Sequence, residues 1–156
     1  MKKPVKNVKL DKKKVSIGII VLIIVVLLVI FIFKPSKIKC TQTNDIKGVT
    51  NKNTIEIVYK KDKVKEVTTT FNYVAKSKDK ESIVKQIKTS MNNLGKVYKD
   101  IDGVEYKNKK DKSNEYEVVQ IVNFDEISDK DLSNINIPRE FKKAKSSYEA
   151  AGFSCK

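Results

Sequence analysis

The chain has no histidine and no tryptophan, one arginine (Arg139) beside 32 lysines, and only two cysteines. Without histidine, the commonest general base and the commonest metal ligand are both missing. No G-x-S-x-G elbow, H-E-x-x-H helix, P-loop or dinucleotide fingerprint occurs, so the usual hydrolase, zinc and nucleotide signatures are excluded. Scarce arginine argues against nucleic acid as a partner, because base readout leans on the planar guanidinium fork. The two cysteines form no C-x-x-C, and two thiolates without histidine leave zinc short of ligands. Asp125-Glu126 and Asp129-Asp131 read as solvated turn carboxylates and lack the loop spacing that calcium needs. The expectation is a non-enzyme with no catalytic residues, no metal and no cofactor.

What is present divides the chain by character. Residues 1–14 hold seven lysines and one aspartate, and Val15 to Phe33 follow as 19 residues without a charge. At about 1.5 Å rise per residue that run spans roughly 28 Å, close to the hydrocarbon thickness of a bilayer. It is apolar on every face, which a soluble helix beside so small a domain could not bury. Seven lysines before it, against Lys34, Lys37 and Lys39 after it, put the N-terminus in the cytoplasm and the remainder outside. The competing reading is a cleaved signal peptide. The apolar centre is long for one, no A-x-A pattern follows, and Cys40 comes after Lys39. A retained single-pass transmembrane helix is expected, with the protein at the cell membrane. The expected divisions are 1–14 as a cytoplasmic basic tail, 15–33 as the span and 34–53 as a juxtamembrane segment. Residues 54–156 form the extracytoplasmic domain, with Cys40 as an alternative start.

Cys40 and Cys155 bracket that outer part. An oxidising compartment and an even count favour a disulfide between them, the alternative being two free thiols.

Between the cysteines the hydrophobic period changes several times. Thr54–Tyr59 and Val64–Ala75 alternate as strands and suggest a long hairpin. Ile83, Val84, Ile87, Met91, Leu94 and Tyr98 repeat at helical spacing, with Ser77 or Asp79 as a cap and Gly95 weakening the last turn. Strands are expected again at Gly103–Lys107 and Glu115–Phe124, the second with Tyr116, Val118, Val122 and Phe124 on one face. A short helical turn at Asp129–Ser133 precedes a final helix opened by Pro138, with Phe141, Ala144, Tyr148 and Ala151 along one side. Gly152 suits its left-handed stop and Phe153 a clamp beyond it. The fold class expected is α+β, an antiparallel sheet packed against helices in the order β-β-α-β-β-α.

Two lysine clusters fall in the polar breaks: Lys60, Lys61 and Lys63, then Lys107, Lys109, Lys110 and Lys112. Both are expected at hairpin tips. One reading has them meeting anionic lipid headgroups or acidic envelope polymers. The other has them keeping loops soluble and sheet edges unpaired. The functional expectation is an anchored interaction module for an envelope protein, a lipid or an anionic polymer. The alternative is a small-molecule or peptide sensor with a pocket between sheet and helices. The oligomeric state is not legible.

Three stretches carry a family resemblance: Tyr59-Lys60-Lys61-Asp62-Lys63-Val64, Tyr98 through Lys107, and Ala150-Ala151-Gly152-Phe153. Their order and spacing resemble the YehR-like bacterial lipoproteins over residues 54–153. The Cys40-Thr41 start and the Gly152-Phe153-Ser154-Cys155-Lys156 end also resemble small membrane-anchored proteins of Gram-positive bacteria. The resemblance implies an extracytoplasmic α+β domain tethered to a membrane and supplies no catalytic residues. The chain departs from the pattern in its anchor, a helix in place of a lipid-bearing cysteine, and in Lys61, which stands where glycine is common. The lysine-rich, arginine-poor composition fits a Gram-positive source.

Overall fold

A computed structural model describes residues 22–27 and 34–156, in two compact units, Met1–Lys34 and Pro35–Lys156. In the first unit, residues 22–27 (α1) are helical and exposed. The rest of the expected span Val15–Phe33 lies outside the described residues. No described helix is long and apolar enough to cross a membrane.

The second unit is α+β. Its strands are β1 Ser36–Ile46, β2 Val49–Lys60, β3 Lys63–Ala75, β4 Val104–Asp111, β5 Glu115–Asn123 and β6 Ser154–Cys155. They form one antiparallel sheet in the order β4-β5-β3-β2-β1-β6. A 3-10 turn, Lys78–Lys80, leads into α2 Glu81–Tyr98, and α3 Asp129–Ile135 and α4 Phe141–Ala150 follow β5.

The expected order β-β-α-β-β-α is therefore corrected to β-β-β-α-β-β-α-α-β. Residues 36–53, expected as a juxtamembrane lead, supply β1 and the start of β2, paired from Ser36↔Tyr59 to Ile46↔Val49. Their period was masked because Gln42, Asn44, Asn51 and Asn53 occupy positions that alternation would fill with apolar residues. β6 has two residues, too few for any periodic signal. Ser77 and Asp79 hydrogen-bond each other through their side chains rather than capping α2.

Helices α2, α3 and α4 pack on one face of the sheet, over two core clusters. One gathers Cys40, Ile55, Ile57, Val67, Val122 and Phe124 beneath Leu132 of α3 and Ala144 of α4. The other gathers Val49, Tyr73, Tyr116 and Val118 beneath Val84 of α2. Burying such branched and aromatic side chains contributes about 1.5–3 kcal/mol each, and the inward face read from β5 is the one buried. Asn51, Asn53 and Thr69 are buried on the same face. The Oδ1 atoms of Asn51 and Asn53 and Nε2 of Gln120 have no hydrogen-bond partner among the described residues.

Arg139 joins the end of β5 to the helices. Its guanidinium donates to the carbonyls of Phe124 and Ile127 and to Asp129, and lies over the Phe124 ring. At the other end of α4, Gly152 takes a left-handed φ of +88° and Phe153 packs into the first cluster, edge-on to Tyr148.

Candidate functional site

Among several pockets on the described surface, two grooves of similar size flank α2, one on each side. The apolar stripe of this helix places Val84 at the bottom of the second cluster, with Ile83, Ile87 and Met91 half-buried around it. Both grooves follow from laying a narrow stripe on a wider sheet. On the β4 side, Asn92, Gly95, Lys96 and Lys99 face Val104, Tyr106 and Asn108 across about 630 Å³. On the β1 side, Ile83, Gln86, Ile87, Ser90 and Met91 face Ile46, Lys47 and Tyr73 across about 610 Å³.

Tyrosine hydroxyls set the geometry of the first groove. Tyr106 donates to the Met91 carbonyl at 2.8 Å. The hydroxyl of buried Tyr116 lies 2.9 Å from Asn92 Oδ1 and 2.8 Å from Asn108 Oδ1. A hydroxyl has one proton, so it serves only one of those oxygens at a time. Asn92 and Asn108 also lie near one another, with Asn108 Nδ2 donating to Asn92 Oδ1 at 3.4 Å. Burial raises the Tyr106 and Tyr116 phenols above their ordinary value, by taking the phenolate away from water. These contacts bind helix to sheet and leave amide groups and two lysines along the rim. Such a groove can hold a small polar molecule or an extended peptide; nothing in it is arranged as a nucleophile and base.

The sequence reading did not single out Asn92 or Asn108, and it took Gly95 only as weakening the last turn of its helix. The only available signal was Gly95: a glycine inside a helical stripe marks a close approach as well as a weak turn.

The residues that were singled out are placed as follows. Cys40 and Cys155 form the disulfide, closing 115 positions of sequence, with Cys40 fully buried and the two residues paired across β1 and β6. Lys60, Lys61 and Lys63 lie at the β2–β3 tip, where Lys60 pairs with Lys63 and Lys61 takes a left-handed φ of +57°. The second cluster is not confined to a tip. Lys107, Lys109 and Lys110 lie along the edge strand β4, and only Lys112 is in the turn to β5. Lys107 pairs with Glu105, while Lys110 reaches Glu115 at 2.7 Å and Glu117 at 3.4 Å. The two clusters do not come together. Register places Ser36 beside Tyr59 at one end of the sheet, whereas Lys107 stands opposite Val119 near mid-strand and Asp111 stands opposite Tyr116 towards the other end.

No protein-family model matches the sequence, and no curated protein matches it. Two solved structures resemble the fold, both determined by NMR. The chain has 14% identity and a TM-score of 0.49 with a protein from Streptococcus pneumoniae TIGR4, covering 79% of this chain and 86% of the other. With the YehR protein of Escherichia coli it has 20% identity and a TM-score of 0.55, covering 79% of this chain and 93% of that one. At that identity the likeness extends to architecture alone: the chain is similar in fold to YehR.

Proposed function

We propose that this protein is a membrane-anchored, extracytoplasmic interaction module without enzymatic activity. The carrying observation is the face of the sheet that none of the described helices α2, α3 and α4 covers. With α2, α3 and α4 all on the opposite face, Thr41, Thr54 and Thr70 stand in register across three strands, and Val119 extends the row. Half-buried Val58, Val74 and Ile121 flank them. A broad, rigid, mixed polar and apolar surface suits contact with an envelope protein or a polymer better than it suits chemistry.

The tether reading draws support from the uncharged 19-residue run and the lysine bias before it. The disulfide fits a domain outside the cytoplasm. A lipoprotein-like role in a Gram-positive envelope is the corresponding cellular setting.

Site-specific photocrosslinking in cells tests the module. A crosslinker at Thr54 or Thr70 should give a discrete adduct that the same group at Gln86 does not. Indistinguishable backgrounds from both faces would reject the sheet face as the contact surface. Protease shaving of protoplasts tests the topology: residues 35–156 should be digested from outside.

A second reading, a sensor for a small molecule or peptide, is favoured by the two grooves beside α2. It requires a ligand whose addition moves the amide resonances of Asn92, Gly95 and Asn108 while leaving Thr54 and Thr70 unmoved.

A further inference from the structure

β4 is an edge of the sheet, and part of its backbone has no partner among the described residues. The Asn123 N–H donates to the Gly103 carbonyl at 2.7 Å, which makes Gly103 and Asn123 a hydrogen-bonded pair at the start of the β4–β5 ladder. Antiparallel ladders alternate, so Glu105 and Lys107 also bond to β5, and the peptide groups of Val104, Tyr106 and Asn108 face away from it. The Val104 N–H is taken by the Ile101 carbonyl at 3.2 Å. The N–H and carbonyl groups of Tyr106 and Asn108 stay open. The register shift between Asn108 and Lys110 ends this regular stretch. From Val104 to Asn108 the open edge runs roughly 14 Å.

The same three residues line the groove between β4 and α2. A chain laid along the open edge sends every second side chain into that groove, because alternate residues of a strand share a face. The charges lining the groove are all positive. Lys96 and Lys99 are exposed there, and neither has a carboxylate partner among the described residues. The next hollow along α2 differs: Lys85 and Lys88 lie with Glu81 and Asp111, the last 2.5 Å from Lys88. The acid within the open stretch, Glu105, belongs to the other face of the strand and pairs with Lys107. Unanswered positive charge therefore collects where the edge is open.

We infer that this edge takes up an extended acidic peptide as a further strand beside β4, with the peptide's carboxylates on Lys96 and Lys99. The inference rests on the peptide-binding reading of the groove and deepens it, by naming the mode of binding and the charge of the ligand. Main-chain bonds to Tyr106 and Asn108 supply affinity, and the groove supplies selection. The carboxamides of Asn92 and Asn108 both donate and accept, which suits them to a peptide's own polar groups. A second copy of the chain fits less well. Edge-to-edge pairing sets Lys107, Lys109 and Lys110 of one β4 near those of the other, and lysine on an edge strand works against such pairing. An acidic partner turns the same lysines into an attraction.

The test is backbone hydrogen exchange on the full chain in detergent micelles, read by NMR, with a peptide of alternating valine and glutamate as the probe. At about ten times its Kd the peptide should slow exchange at the Tyr106 and Asn108 amides roughly tenfold, because only the free protein exchanges there. The Glu105 and Lys107 amides, already bonded to β5, should change little. A valine–lysine peptide should give no protection, and Lys96→Glu with Lys99→Glu should reverse the preference between the two. N-methylation of the glutamate peptide's backbone should abolish its effect. No protection at about 1 mM peptide overturns the inference, as does equal protection by the valine–lysine peptide. Protection that rises with protein concentration in the absence of peptide gives the edge to a second copy, and inorganic polyphosphate acting as well as the peptide gives it to an anionic polymer; either result overturns the inference. Shifts at Asn92 and Gly95 without protection at Tyr106 and Asn108 refute strand addition alone, whereas silence at all four refutes the groove reading with it.

Discussion

Gly95 of α2 sits against the ring of Tyr106 on β4, so closely that a β-carbon at residue 95 would lie 2.6 Å from Cδ1 and 2.7 Å from Cε1. The ring cannot step aside at low cost, because its hydroxyl is bonded to the Met91 carbonyl one turn earlier in the same helix. A glycine that propensity counts as a weakness is what allows α2 to approach β4 and shapes one wall of the larger groove.

Gly95→Ala is therefore expected to destabilise the domain. Helix propensity alone would favour alanine by about 1 kcal/mol, but overpacking against a held ring costs about 1–3 kcal/mol. A net loss of about 1 kcal/mol should appear in urea unfolding, and Tyr106→Ala in the Gly95→Ala background should recover part of it. A more stable Gly95→Ala protein would contradict the close packing.

Arg139→Lys should lose about 2 kcal/mol, since an ammonium cannot reach two carbonyls and a carboxylate as the guanidinium fork does. Asp129→Asn should lose far less. The Asp129 side chain is 89% exposed, and exposed ion pairs contribute little. Equal losses in denaturant titrations would place the value of Arg139 in its ion pair instead.

Replacing both cysteines, Cys40→Ser with Cys155→Ser, should cost up to about 4–5 kcal/mol on the chain-entropy account of so long a loop. The damage should be local first. Lys39 and Lys156 exchange two backbone hydrogen bonds at 3.0 and 2.9 Å, and their amides should exchange faster with solvent than those of the β2–β3 ladder. Unchanged protection at Lys156 would show that β6 is held without the disulfide.

Lys61→Gly should stabilise the β2–β3 tip by about 1 kcal/mol, because a left-handed backbone strains any residue with a β-carbon. Thermal unfolding of the single variant is sufficient to check it. A fall in Tm would show that the lysine side chain offsets its own strain.

Alkaline pH should unfold the protein early. Burial pushes the Tyr148 phenol up to about 12, and it raises Tyr73, Tyr106 and Tyr116 in the same direction. The folded state thus keeps protons that the unfolded chain releases near pH 10, where tyrosine ordinarily titrates. This contribution is complete below about pH 10 and is lost as pH rises towards about 12, by at most about 1.4 kcal/mol per pH unit for each tyrosine. Tyr148→Phe should flatten the slope of stability against pH in that window.

Local chemistry made a good part of this architecture readable beforehand. Tyr116, Val118, Val122 and Phe124 alternate and are all buried, because one face of a strand meets the core at every second residue. Gly152 ends α4 in the left-handed region, and Cys40 finds Cys155 because no other cysteine exists. The α+β class followed from the same periodicities, and the likeness to the YehR fold agrees with it.

Other features arise only when distant segments meet. β1 carries polar residues where a strand signal needs apolar ones, and it becomes a strand because β2 offers a full ladder of backbone partners. Arg139 and Gly95 acquire their roles from the Phe124 carbonyl and the Tyr106 ring, each remote in sequence. The lysine clusters looked equivalent as strings; cross-strand register keeps one at the β2–β3 tip and lays the other along β4, from Lys107 at mid-strand to Lys112 at the far turn. Periodicity encodes which way a side chain faces within its own element. Register, which decides what it faces, depends on the summed packing of all the elements together.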